Sequence, residues 1–207
     1  MDSRRLIFWF FITLSIQSVQ VSHAQNTDSL TRELLKPLTD SARITILDTL
    51  ADLSISVDIN QAKVYADQII AIAEQNNLSW ALTKGYGQLG LIHSIRGDYL
   101  SASKYDNLHL QHVMALKDSL QITVALTNLG DDYLRLGEYE EAYFNFINAY
   151  KFARIRKDSS KLDIAILNLG SVFKGLEQYD LALNHIEISK KINEKRKRQI
   201  WVCSFFG

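Results

Sequence analysis

Asp106, His109 and His112 follow one another at steps of three, the spacing that brings side chains onto one face of a helix. A carboxylate with two imidazoles is a set that can hold a divalent metal. Asp131-Asp132 and Glu140-Glu141 are the candidates for acid–base work. Neighbours on a helix point apart, however, so both pairs read as solvated face. Cys203 is the sole cysteine, which excludes an intramolecular disulfide and a cysteine-built zinc site. Lys190-Lys191 and Lys195-Arg196-Lys197-Arg198 form a basic run broken by Glu194. Its plain reading is positive charge near a helix C-terminus, where the helix dipole favours it. No nucleophile, base and oxyanion set can be assembled. The expectation is a non-enzyme with no catalytic residue, no metal and no cofactor.

The elements that carry these residues repeat. Gly90, Gly130 and Gly170 lie 40 residues apart, as do Tyr99, Tyr139 and Tyr179. Ala62, Ala102, Ala142 and Ala182 keep the same interval and make four copies. The first copy is the most divergent, with Leu50 in the glycine's place and Ile59 in the tyrosine's. On this register His109 falls at the place of Ala149 and faces a neighbouring helix, which counts against the metal reading. His93 takes the slot of Tyr133 and Phe173, an aromatic core position, and His185, aligned with Asn145, reads as surface.

Within a unit the periodicity is helical. Ile122, Leu126, Leu129, Tyr133 and Leu136 step by four, three, four and three, and Leu162, Ile166, Leu169, Phe173 and Leu176 repeat the steps. Gly97-Asp98-Tyr99 and Gly137-Glu138-Tyr139 put a glycine at a helix end and an acid at the next start. Lys117-Asp118-Ser119 and Lys157-Asp158-Ser159 place N-capping residues between units. A glycine inside a helix costs about 1 kcal/mol against alanine. The matched glycines predict a close approach, with the Ala142 face of the second helix pressed on Gly130.

Leu126-x2-Leu129-Gly130-x2-Tyr133, continued by Gly137, Tyr139, Ala142, Phe146 and Ala149, resembles the tetratricopeptide repeat (TPR) pattern, with leucine for its tryptophan. The unit is 40 residues against the family's 34. That length resembles the kinesin-light-chain-like and MalT-like arrays. The resemblance covers about residues 41–197. It implies an all-α, right-handed α-solenoid of four helix-turn-helix repeats, at about 40–77, 78–117, 118–157 and 158–198. It also implies a concave groove for a protein or peptide, lined from the first helices. In the second unit the lining is Lys84, Gly87, Leu91 and Ile95. Val124, Thr127, Asp131 and Arg135 follow in the third, and Ile164, Leu167, Ser171 and Lys174 in the fourth. Gly87, Leu91 and Ile164 stand where relatives that clamp a terminal carboxylate need polar or basic groups, so no such clamp is expected.

Around the array, Arg4, Arg5 and the apolar run 6–16, followed by Ser22-His23-Ala24, read as a secretory signal peptide over 1–24. That run falls short of the roughly 20 residues that span a bilayer. Residues 25–39 are a lead-in with a short helix ended by Pro37. Residues 199–207 read as an incomplete tail, the possible start of a fifth repeat. Leu183, Ile186, Ile188 and Ile192 are then left without cover, which leads us to expect either a longer native chain or self-association through this edge. The formal net charge is zero, so nothing favours nucleic acid as a partner of this segment. A signal peptide before long TPR units resembles the extracytoplasmic sensory part of bacterial signalling regulators. Those carry a histidine kinase, helix-turn-helix or nucleotide cyclase output beyond a membrane segment. The expectation is such a sensory module, exported to the periplasm; the alternative is a free-standing periplasmic scaffold.

Overall fold

The computed structural model describes residues 26–206, with side chains described to 197. The expected signal peptide lies outside the described residues. Helix α1 (26–33) precedes Pro37. Eight longer helices follow in four antiparallel pairs: α2 (Asp40–Ile55) and α3 (Ile59–Gln75), α4 (Ser79–Ile95) and α5 (Tyr99–Ala115), α6 (Ser119–Leu136) and α7 (Tyr139–Ile155), α8 (Ser159–Gly175) and α9 (Tyr179–Phe206). There is no strand among the described residues. The fold is an all-α solenoid.

Helix starts are set by aspartates. Asp58, Asp98, Asp118 and Asp158 each accept backbone N–H bonds from the first turn of α3, α5, α6 and α8. The ends of α3 to α8 close through one left-handed residue. Gly137 has φ +79°, and the N–H of Glu138 behind it donates to the carbonyl of Tyr133. Glu177 takes the same conformation, φ +60°, where the fourth unit has no glycine. The turn geometry is therefore dictated by packing of the helices it joins.

Curvature follows from which helices touch. Each first helix meets the next unit's first helix, α2 with α4, α4 with α6 and α6 with α8. Among the described residues the backbones of successive second helices stand further apart. The first helices thus line the inner, concave side. The core is a string of small clusters between neighbours. One joins Ala62 and Ala66 of α3 to Leu89 and Ile92 of α4, and another joins Ala142 and Phe146 of α7 to Leu169 and Val172 of α8.

The close approach at Gly130 exists, but its partner differs from the expected one. A Cβ on Gly130 would lie 2.7 Å from Cε1 of Phe146, one turn beyond Ala142. Ala142 is fully buried and belongs to the cluster that faces the next unit. An aromatic ring fills the space that a glycine opens, because alanine is too short to reach it. In the second unit the residue over Gly90 is Asp106.

At the far end α9 continues without a break to Phe206, through the position where the register expects a turn. Its contact with α8 is partly polar. Ser189 donates to Asp163 Oδ1, Asn193 Nδ2 to Asp163 Oδ2 at 2.6 Å, and Arg196 to Asn193. Leu183 and Ile186 are 59% and 50% exposed. No described helix is long and apolar enough to cross a membrane.

Candidate functional site

The concave side carries a cavity of about 570 Å³ where the first three units meet. Of the residues expected in the groove, Lys84, Gly87, Leu91 and Val124 line it. Ile95, Arg135, Ile164, Leu167, Ser171 and Lys174 are exposed but lie outside this cavity. Thr127 and Asp131 are half-buried outside it; the Thr127 hydroxyl is committed to the Thr123 carbonyl.

The cavity's polar wall comes from residues that pattern reasoning passed over. Lys84 Nζ pairs with Asp48 of the previous unit, and Gln88 Nε2 donates to Asp48 Oδ1 at 3.1 Å and to Asp52 Oδ1 at 2.7 Å. Trp80, Gln121 and Asn128 complete the wall. A signal for them existed. Asp48, Gln88, Asn128 and Asn168 stand 40 apart, so every unit places a hydrogen-bonding side chain at one register position of its inner helix. Three of that row, Asp48, Gln88 and Asn128, line the cavity and give it amide and carboxylate chemistry.

The structural repeat positions behave unevenly. Ala62, Ala102, Ala142 and Ala182 are buried at each crossing of paired helices. Tyr139 packs against the cluster between the third and fourth units, Tyr99 is half-buried, and Tyr179 is 59% exposed. Gly170 would place a Cβ 3.3 Å from His185 Cβ.

Among the described residues the histidines serve packing. His93 stacks on Tyr105 at 5.2 Å and bonds Asp98 at 3.0 Å. His185, expected on the surface, is half-buried and packs at a tilt on Phe173, ring centroids 5.0 Å apart, because the fourth unit offers it an aromatic neighbour. His109 is buried under Gly87; burial, and to a smaller degree the nearby His112, push its pKa down to about 4. No group of three metal-ligating side chains comes together among the described residues.

Asp132 overturns the reading of Asp131-Asp132 as solvated face. Asp131 is half-buried, whereas Asp132 and Asp106 are each 1% exposed. Their carboxyl groups face each other across the contact of α5 with α6, close enough to feel each other's charge. Asn128 lies beside Asp106, and Ser94 beside Asp132. Asp106 Oδ1 and Asp132 Oδ2 have no partner. Burial first, and the neighbouring carboxylate second, hold the Asp106 pKa far above the usual range. Burial also raises that of Asp132. Register again held the signal: position 106 aligns with Ala66 and Phe146, and position 132 with Ile92 and Val172.

The fold and its inner groove define a TPR-type repeat array. No family model and no curated protein sequence matches the chain. Solved structures do. The chain is similar to BtubC (BKLC) from P. vanneervenii, at TM-score 0.76 and 17% identity, covering 89% of this chain and 76% of that one. It is similar to a Signal Transduction ATPase with Numerous Domains from Pyrococcus horikoshii that carries a tetratricopeptide repeat sensor. There the TM-score is 0.74 and the identity 19%, over 88% of this chain and 30% of that one. A Rap protein complexed with competence and sporulation factor matches at TM-score 0.73 and 16% identity, over 92% of this chain and 55% of that one. At these identities the likeness is one of fold.

Proposed function

We propose that the chain is a protein-interaction module that takes a peptide segment of a partner along its concave groove, and that it serves as the exported, sensory part of a bacterial signal-transduction protein. The observation that carries the first half is the cavity walled by Asp48, Lys84, Gln88 and Asn128. Its paired charges and amides match peptide backbone and polar side chains, and exposed Leu91 beside them supplies apolar contact. Two fold relatives support the second half: one carries a repeat sensor, and the other is complexed with a factor. The basic start and apolar run before residue 25 support export.

The test of the groove is selection of binding peptides from a displayed library on the full chain, followed by calorimetric titration of the selected sequences. Lys84→Glu and Asn128→Ala should each weaken binding about tenfold or more, in line with loss of a charge-assisted contact or a buried hydrogen bond. Unchanged affinity in both variants would remove the groove from the reading. Export is tested separately, by cell fractionation with N-terminal sequencing. Mature material beginning at Gln25 supports it, and an intact N-terminus on cytoplasmic protein defeats it.

The second reading, a free-standing scaffold that self-associates, draws on the exposed Leu183 and Ile186 of α9. Light scattering across concentration separates the two. A monomer at every concentration removes self-association, and a dimer lost in Leu183→Glu establishes it.

A further inference from the structure

The three joints between units occupy equivalent register positions and are built differently. In the first, Ala66 of α3 meets Ile92 of α4, both fully buried. In the third, Phe146 of α7 meets Val172 of α8, both fully buried. In the middle joint the same two positions hold Asp106 of α5 and Asp132 of α6. Gly90 lies under Asp106, so the carboxyl group sits where the third unit keeps a phenyl ring. Two ionised carboxylates in such a site repel each other with little solvent to screen them, whereas one proton between them makes a strong acid–carboxylate hydrogen bond.

We propose that Asp106 and Asp132 form a proton-operated joint: it is closed while the pair shares a proton, and loosens α5 from α6 when that proton leaves. The inference stands whatever the groove binds. It reaches the groove all the same, because Asn128, beside Asp106, and His109, one turn along α5, both line the cavity.

The groups that face the pair do not neutralise it. From α6 itself, Asp131 adds a further negative charge, and the Tyr133 hydroxyl feels Asp132. From α4 come uncharged Ser94 and Gly90, while His93 is turned to Asp98. On α5, His109 is held neutral by burial. From α7, the Phe146 ring meets Gly130, and Glu141 adds negative charge beside Tyr133.

The sign is fixed by linkage. The closed joint holds a proton that the open, solvated joint gives up in the ordinary carboxylate range, near about pH 4. Closure therefore weakens as pH rises, until Asp106 itself titrates at about 8. Above about pH 6.5 an exposed histidine is mostly neutral, so His109 no longer contributes and the carboxyl pair acts alone.

The experiment is amide hydrogen exchange on the full chain, corrected for intrinsic rate, from about pH 6.5 to about pH 8.5. Protection of α5 and α6 should fall by up to about tenfold per pH unit relative to α7 and α8, one proton being linked to opening. In Asp106→Asn/Asp132→Asn that relative fall should vanish, since two amides bond without titrating. Equal pH dependence of all four helices in the wild type overturns the proposal, as does a double variant that keeps the wild-type profile. Should the double variant fail to fold, Asp106→Asn replaces it with the same two outcomes.

Discussion

Phe146 occupies the space that a side chain on Gly130 would need, with its Cε1 2.7 Å from where a Cβ would stand. Ring and glycine are a matched pair, since the ring is fully buried and cannot yield outward. Gly130→Leu should therefore cost about 1–3 kcal/mol by overpacking. Gly170→Ala is the control: its Cβ would meet His185 Cβ at 3.3 Å, so the strain largely offsets the roughly 1 kcal/mol that alanine gains in a helix. Urea midpoints of the two variants should differ clearly, with Gly130→Leu the lower.

Glu177 holds a left-handed conformation that its counterparts Gly97 and Gly137 hold without strain. A residue with a Cβ is disfavoured there by about 1–2 kcal/mol, and glycine's extra freedom in the unfolded chain takes back part of that. Glu177→Gly should raise stability by about 0.5–1 kcal/mol, visible as a higher urea midpoint.

Asp158 accepts N–H bonds from Ser160 and Lys161 and fixes the start of α8. Asp158→Ala should cost about 1 kcal/mol. In an array whose units touch only their neighbours, the loss should register first as faster amide exchange in α8 and α9, with α2 to α5 unaffected.

Two buried groups give stability opposite dependences on pH. Asp106, raised to about 8, contributes stability that is full in acid and is lost as pH climbs from about 4 towards 8. His109, lowered to about 4, contributes stability that is present above about 6.5 and lost as pH falls to 4. Urea denaturation should accordingly show a fall from about pH 6.5 to about pH 9 in the wild type, and its absence in Asp106→Asn/Asp132→Asn.

The array was legible because its signal is repeated: small residues at Ala62, Ala102, Ala142 and Ala182, and the apolar steps from Ile122 to Leu136, each restate one packing rule. The pairing inside the joints was less so. Sequence spacing suggested Ala142 as Gly130's partner, yet helices cross at an angle, and the side chain long enough to reach the gap is Phe146, a turn away. The carboxyl pair was hidden for another reason. Asp131-Asp132 looks polar as a dipeptide, and only comparison at the 40-residue interval shows that the second of them stands in a column of Ile92 and Val172. The groove was half read. The family pattern indicated the inner helices, but Asp48 and Gln88 reach the cavity through bonds between units, which no single repeat displays.

Contacts from α2 to α9 reach no further than the adjoining unit. A tug applied at one end therefore meets resistance from a single neighbour at a time, and the molecule yields like a zip, tooth after tooth, with no all-or-none rupture. Extension under force should come in steps of one or two helices, so that part of the array can stay assembled after the rest has been drawn out.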